Sequence, residues 1–170
     1  LWDRVDHRLW LLDLRTGTPV KLHPCQPGEI IGHEYWYADG KRIGYHGRAG
    51  DRWQLGCVSA DGSADRTWLF PFHTGHIFSQ GEMLIVGDGD REGRFIRVWQ
   101  LGENGYENPR ALCRHDSSFN RQRTHVHPRI TPDGKSVLYT SDATGYEQIY
   151  LVRLPEDVND LPPLETLSKY

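Results

Sequence analysis

The feature that most constrains the fold is a strand–turn–strand unit recurring along a chain with almost no helical periodicity. Short runs of Trp, Tyr, Ile, Val and Leu are separated by Asp-Gly or Thr-Gly, as in "LWLLDLRTGTPVKL", "YWYADGKRIGYHG", "QLGCVSADGSADRTWLF" and "ITPDGKSVLYTSDATGYEQIYLV". Apolar runs joined by such dipeptides are the hairpin signal of an antiparallel all-β chain. A longer period lies over the hairpins. "HEYWYADGKRIGYHG" (33–47) aligns with "HPRITPDGKSVLYTS" (127–141), each with a histidine six residues before Asp-Gly-Lys. "HIFSQGEMLIVGDG" (76–89) is a looser third copy. The histidines His33, His76 and His127 are thus 43 and 51 residues apart. Periods of that size in an all-β chain predict β-propeller blades of four antiparallel strands.

The expected organisation is a partial propeller of about three and a half blades. A partial blade covers 1–31, and further blades lie near 32–74, 75–115 and 122–156. The propeller domain spans 1–156. The polar, Pro-containing tail, 157–170, reads as terminal coil or a capping segment. The chain opens on "LWDRVDHRLW", which reads as the interior of a strand, so an N-terminally truncated segment is expected.

With 170 residues the chain is long enough for a real core. Its 20 basic and 23 acidic residues nearly balance, which argues against a nucleic acid or membrane surface held by bulk electrostatics. No apolar run approaches the length of a membrane span. The three cysteines, Cys25, Cys57 and Cys113, are widely spaced and form no Cys-x-x-Cys, so free thiols in a reducing compartment are expected.

Nine histidines prove nothing by their count, since most could be surface residues; their register carries the information. In "QRTHVHPRI" His125 and His127 stand two apart. On a strand they would face the same side and could ligate one ion together. His76, from the neighbouring blade, can add a third imidazole, although His73 in "FHTGH" competes for that place. Gln122 can bring an amide oxygen. Such a donor set, with positions left open, suits a divalent first-row metal rather than a closed zinc–thiolate site, and manganese is compatible with it. The competing account is a set of pocket histidines bonded to backbone carbonyls. His33 occupies the equivalent slot one blade earlier, either as another ligand or as a free imidazole suited to proton abstraction. Arg8, in "VDHRLW", either pairs with a substrate carboxylate or is a surface residue. Together these parts suit β-elimination on an acidic sugar.

The segments "GHEYWYADGKRIGYHG", "HIFSQGEMLIVGDGD", "LCRHDSSFNRQRTHVHPRITPDGKSVLYTSD" and "GYEQIYLVRLP" resemble the C-terminal part of the oligogalacturonate lyases. The resemblance implies a seven-bladed β-propeller with a manganese ion in its channel. It implies β-elimination of short oligogalacturonides, chiefly the dimer, in the bacterial cytoplasm, yielding unsaturated uronates that rearrange to 5-keto-4-deoxyuronate. Residue by residue it carries over His76, Gln122, His125 and His127 as metal ligands, His33 as the base and Arg8 as the substrate-side arginine. Two other readings compete. A TolB-like, non-enzymatic interaction propeller accounts for 131–154 but not for Gln122, His76 and His33. A propeller glycosidase would need paired carboxylates in the histidine register, and none is there.

Overall fold

The computed structural model describes residues 7–89 and 93–167. The described residues form thirteen strands: β1 (Leu9–Asp13), β2 (Thr18–His23), β3 (Glu29–Trp36), β4 (Arg42–Ala49), β5 (Arg52–Ser59), β6 (Asp65–Leu69), β7 (Ile77–Ser79), β8 (Leu84–Gly87), β9 (Phe95–Gly102), β10 (Gly105–Arg114), β11 (Arg129–Ile130), β12 (Ser136–Ser141) and β13 (Gln148–Arg153). Every pairing between them is antiparallel between sequence neighbours. They form sheets β1-β2, β3-β4-β5-β6, β7-β8-β9-β10 and β11-β12-β13. The fold class is therefore the all-β, propeller-blade class predicted by the repeat. Among the described residues the only helical pieces are short 3-10 turns, and no helix is long and apolar enough to cross a membrane.

The hairpins form for the reason their sequence suggests. At Asp39-Gly40, Asp61-Gly62 and Asp133-Gly134 the carboxylate accepts the backbone N–H two residues on, from Lys41 (2.8 Å), Ser63 (2.9 Å) and Lys135 (3.1 Å). The following glycines take the left-handed conformation, with φ of 63°, 74° and 71°. A residue without Cβ enters that region at no steric cost, so each dipeptide closes its turn.

The chain divides into two compact units, Leu1–Phe72 and His73–Tyr170. In the first, Leu9, Leu22, Ile31, Ile43, Tyr45 and Val58 form a core to which the β1-β2 and β3–β6 sheets both contribute. A polar network closes one side of it. His23, at the end of β2, bonds Asp65 Oδ2 through Nδ1 (2.5 Å) and Glu29 Oε1 through Nε2 (3.1 Å). The Tyr45 hydroxyl lies 3.2 Å from both His23 Nδ1 and Asp65 Oδ1.

In the second unit Val86, Ile96 and Val98 of the β7–β10 sheet pack with Ile130 and Val137 of the β11–β13 sheet. Val126, from the connection between the sheets, joins the same core. The C-terminal stretch is ordered where it is described. Val158 is buried in this core, Pro162 O accepts from Ala111 N at 3.0 Å, and Leu161 O accepts from the Arg110 guanidinium at 3.2 Å. It lies against β10.

Candidate metal centre

The connection from β10 to β11 carries three of the residues singled out in the sequence. Its shape is fixed by side chains that bond the backbone. Ser117 Oγ donates to Thr124 O (2.6 Å), and Asp142 accepts from Ser118 N (2.8 Å) and Ser118 Oγ (2.6 Å). Ser141 Oγ donates to His115 O (2.5 Å). His115 is buried; its Nδ1 accepts from Ser117 N (3.1 Å) and its Nε2 donates to Asp88 O (3.1 Å). Burial holds the His115 pKa below its ordinary value, in keeping with a neutral ring that donates on one side and accepts on the other. The segment contains non-glycine residues in the left-handed region, Asp116 (φ 46°), Phe119 (φ 54°) and His127 (φ 44°). Such conformations persist only where the surroundings over-determine them, and they concentrate at functional sites.

The expectation that His125 and His127 sit on one strand is corrected. Gln122–Thr124 is a 3-10 turn, His125 is its C-cap, and β11 begins only at Arg129. Pro128 has no N–H to give a ladder, and His127 is left-handed. The two rings are brought together instead by the residue between them. Val126 is fully buried in the core and its carbonyl accepts from Thr140 N at 2.9 Å, which anchors the backbone between the two imidazoles.

His76 stands directly before β7 and meets them. One ring nitrogen from each of His76, His125 and His127 lies within 4.8 Å of the others. The His76 ring centroid is 3.8 Å from that of His127 and 5.3 Å from that of His125. Gln122 Nε2 is 3.4 Å from His127 Nε2, so its side-chain amide borders the cluster. An amide carries a donor and an acceptor on interchangeable positions, and the same group can present its oxygen to a cation.

The donor set fits a divalent metal. Burial, and next the neighbouring His76, push the His127 pKa down to about 4, so its lone pair is available at neutral pH. His125 Nδ1 is buried without a hydrogen-bond partner among the described residues.

A carboxylate that the sequence reading missed stands behind His76. Asp88, fully buried, accepts from His76 Nδ1 (2.6 Å) through one oxygen and from His76 N (2.8 Å) through the other. Burial alone would raise its pKa, but the hydrogen bonds of His76 more than offset that and hold it below the usual carboxylate value. Thr74 Oγ1 lies 3.3 Å from Asp88 Oδ1. Gly87 permits this packing: a Cβ there would stand 2.7 Å from Thr74 Oγ1 and 2.9 Å from the Trp99 ring. The signal for Asp88 was the hairpin register, since Ile77 pairs with Gly87 and places His76 opposite Asp88.

Arg8 and His33 belong to the first unit and line one cavity of about 220 Å³ there, with Ile30, His46, Arg48 and Trp53. His33 is exposed and sits at a bulge in β3, between Gly32 and Tyr35, with φ 53°. An extra residue in one strand re-aims a side chain out of the regular alternation. Its ring lies parallel to that of His46 at 6.1 Å, and His46 in turn stacks on Trp53 at 5.2 Å. Arg8 Nε donates to Glu34 Oε1 at 2.8 Å. His33 and His127 therefore share a left-handed backbone as well as a place in the repeat, and β3, β7 and β11 are each the first strand and an edge of their sheets.

Comparison with known proteins bears on these residues. Residues 1–158 match the family model described as oligogalacturonate lyase. The chain is 30% identical to an oligogalacturonide lyase of Pectobacterium atrosepticum, an alignment covering 92% of this chain and 45% of that protein. Among solved structures, one described as an oligogalacturonate lyase in complex with manganese superposes with a TM-score of 0.77 at 30% identity, covering 93% of this chain and 44% of that one. TolB from Acinetobacter baumannii superposes with a TM-score of 0.63 at 19% identity over 86% of this chain and 35% of that one, a likeness of fold alone. The chain spans less than half the length of the lyases it matches. With the family model covering nearly its whole length, the chain belongs to the oligogalacturonate lyase family.

Proposed function

We propose that this chain contributes the metal centre and the base of an oligogalacturonate lyase, cleaving short oligogalacturonides such as digalacturonate by β-elimination. The observation that carries the reading is the convergence of His76, His125 and His127 within 4.8 Å, with Gln122 at their border. These residues would hold a divalent ion, for which manganese is our assignment because a similar structure is a manganese complex. When bound, the ion supplies Lewis-acid charge that offsets the negative charge developing on a uronate as its C5 proton leaves.

The remaining roles fall to the chain's own side chains. His33 accepts the C5 proton; the freed electron pair forms the C4–C5 double bond, and the C4–O bond breaks toward the leaving sugar. An imidazole engaged with an ion has no lone pair to offer a proton, so the base stands outside the ligand set, and the family resemblance gives that role to His33. Arg8, whose Nε donates to Glu34, pairs with a uronate carboxylate. The product is an unsaturated uronate, which rearranges to 5-keto-4-deoxyuronate. Free thiols at Cys25, Cys57 and Cys113 support placing this reaction in the cytoplasm.

The test is an elimination assay on digalacturonate with the whole protein, following the ultraviolet absorbance of the conjugated product. His33→Ala is expected to lower turnover by about 10²–10⁴-fold, the usual scale for loss of a general base, with metal content intact. His125→Ala is expected to lose metal and activity together. A folded His33→Ala protein that has lost its metal would show that His33 is a ligand and not the base.

A further inference from the structure

We propose that Asp88 is a positioning residue for the metal centre: it fixes His76 in the Nδ1–H form and so commits Nε2 to the ion. The inference rests on the reading of His76, His125 and His127 as a metal site.

The Asp88 carboxylate faces both the ring and the backbone of His76. Oδ2 faces His76 Nδ1 at 2.6 Å, and Oδ1 faces His76 N at 2.8 Å and Thr74 Oγ1 at 3.3 Å. An ionised carboxylate can only accept, and the His76 backbone N–H aimed at Oδ1 favours that form. The proton between Asp88 and His76 therefore belongs to Nδ1, which leaves Nε2 bare. Two bonds to the same residue, one to its ring and one to its backbone, also fix the ring's rotation. A carboxylate behind a ligating imidazole is a recurrent arrangement that sets tautomer, orientation and basicity, and its loss typically weakens metal binding by about 10–100-fold.

Asp88 is also joined to the other ligands. Its carbonyl accepts from His115 Nε2 at 3.1 Å, His115 Nδ1 accepts from Ser117 N at 3.1 Å, and Ser117 Oγ holds Thr124 O at 2.6 Å, one residue before His125. The His76 side of the cluster and the His125 side are thus linked through buried polar groups of one unit. Asp88 touches neither the ion nor a substrate in this scheme; it acts through His76.

The experiment titrates the metal-free chain with manganese by calorimetry, comparing the unsubstituted chain with Asp88→Asn and Asp88→Glu. It also reads the His76 ring tautomer from its nitrogen-15 shifts. The expected result is a loss of about 10–100-fold in manganese affinity for Asp88→Asn. The amide can donate to Nδ1 and so admit the Nε2–H form, which should appear in the spectrum. Asp88→Glu keeps the charge and is expected to recover part of the affinity. Unchanged affinity in a folded Asp88→Asn chain overturns the proposal while leaving the metal site standing. An unsubstituted chain that binds no manganese overturns the metal site and the proposal with it. Should neither variant fold, the unsubstituted chain still decides: a His76 ring protonated at Nε2 rather than Nδ1 refutes the assignment.

Discussion

With the imidazole removed at position 127, glycine should be more stable there than alanine. The residue sits at φ 44°, in the left-handed region, immediately before Pro128. An L-residue there brings Cβ against the following carbonyl, at a cost of about 1–2 kcal/mol. A following proline restricts the backbone further. Comparing His127→Gly with His127→Ala removes the imidazole from both, so the lost ring contacts cancel and the backbone remains. Glycine relieves the strain but adds freedom to the unfolded chain, an offset of about 0.5–1 kcal/mol. The net expectation is that the Gly variant exceeds the Ala variant by roughly 0.5–1 kcal/mol, or about 1–4 °C in melting temperature for a chain of this size. At an ordinary position the sign is reversed, because Ala is the more stable residue. The assay is chemical or thermal unfolding of the metal-free chain. Equal stability, or an advantage for Ala, refutes the claim that strain is stored at His127 to aim its ring.

Further expectations follow from the packing and the charges. Val126→Ala removes two methyl groups from a fully buried position, so it should cost about 2 kcal/mol from transfer and the cavity left behind, measurable by denaturant unfolding, and should weaken metal binding because Val126 anchors the backbone between the two imidazoles. Burial works against the charged form of His23, but its hydrogen bonds to the carboxylates of Asp65 and Glu29 outweigh it and raise its pKa above 6.5. The folded state then holds a proton that the unfolded state releases, so this stabilisation is complete below about pH 6.5 and is lost as pH rises through the folded value. Unfolding midpoints across that range should fall with pH, and His23→Gln should flatten the profile.

The sequence was most legible where local chemistry decides structure. Asp39-Gly40, Asp61-Gly62 and Asp133-Gly134 announce their turns because the carboxylate and the missing Cβ act within three residues. The cluster of His76, His125 and His127 was legible as a set of residue types at repeating positions, though not for the right geometric reason. A strand was inferred for 125–127, whereas a buried Val126 and a left-handed His127 produce the convergence, and both depend on tertiary packing. Asp88 was hidden because the hairpin before it turns through Gln80–Met83, without an Asp-Gly from which to count the register. The bulge that displaces His33 was hidden for a similar reason: an extra residue in β3 shows only once its pairing with β4 is known.

The central claim is that His76, His125 and His127 hold one divalent ion, and manganese binding to the purified chain tests it most directly. Electron paramagnetic resonance of added manganese should show its free-ion signal quenched up to a single equivalent per chain. The quenching should be abolished by His76→Ala, His125→Ala and His127→Ala alike and preserved in His33→Ala. Manganese that binds equally well after those three substitutions, or does not bind the unsubstituted chain at all, contradicts the account.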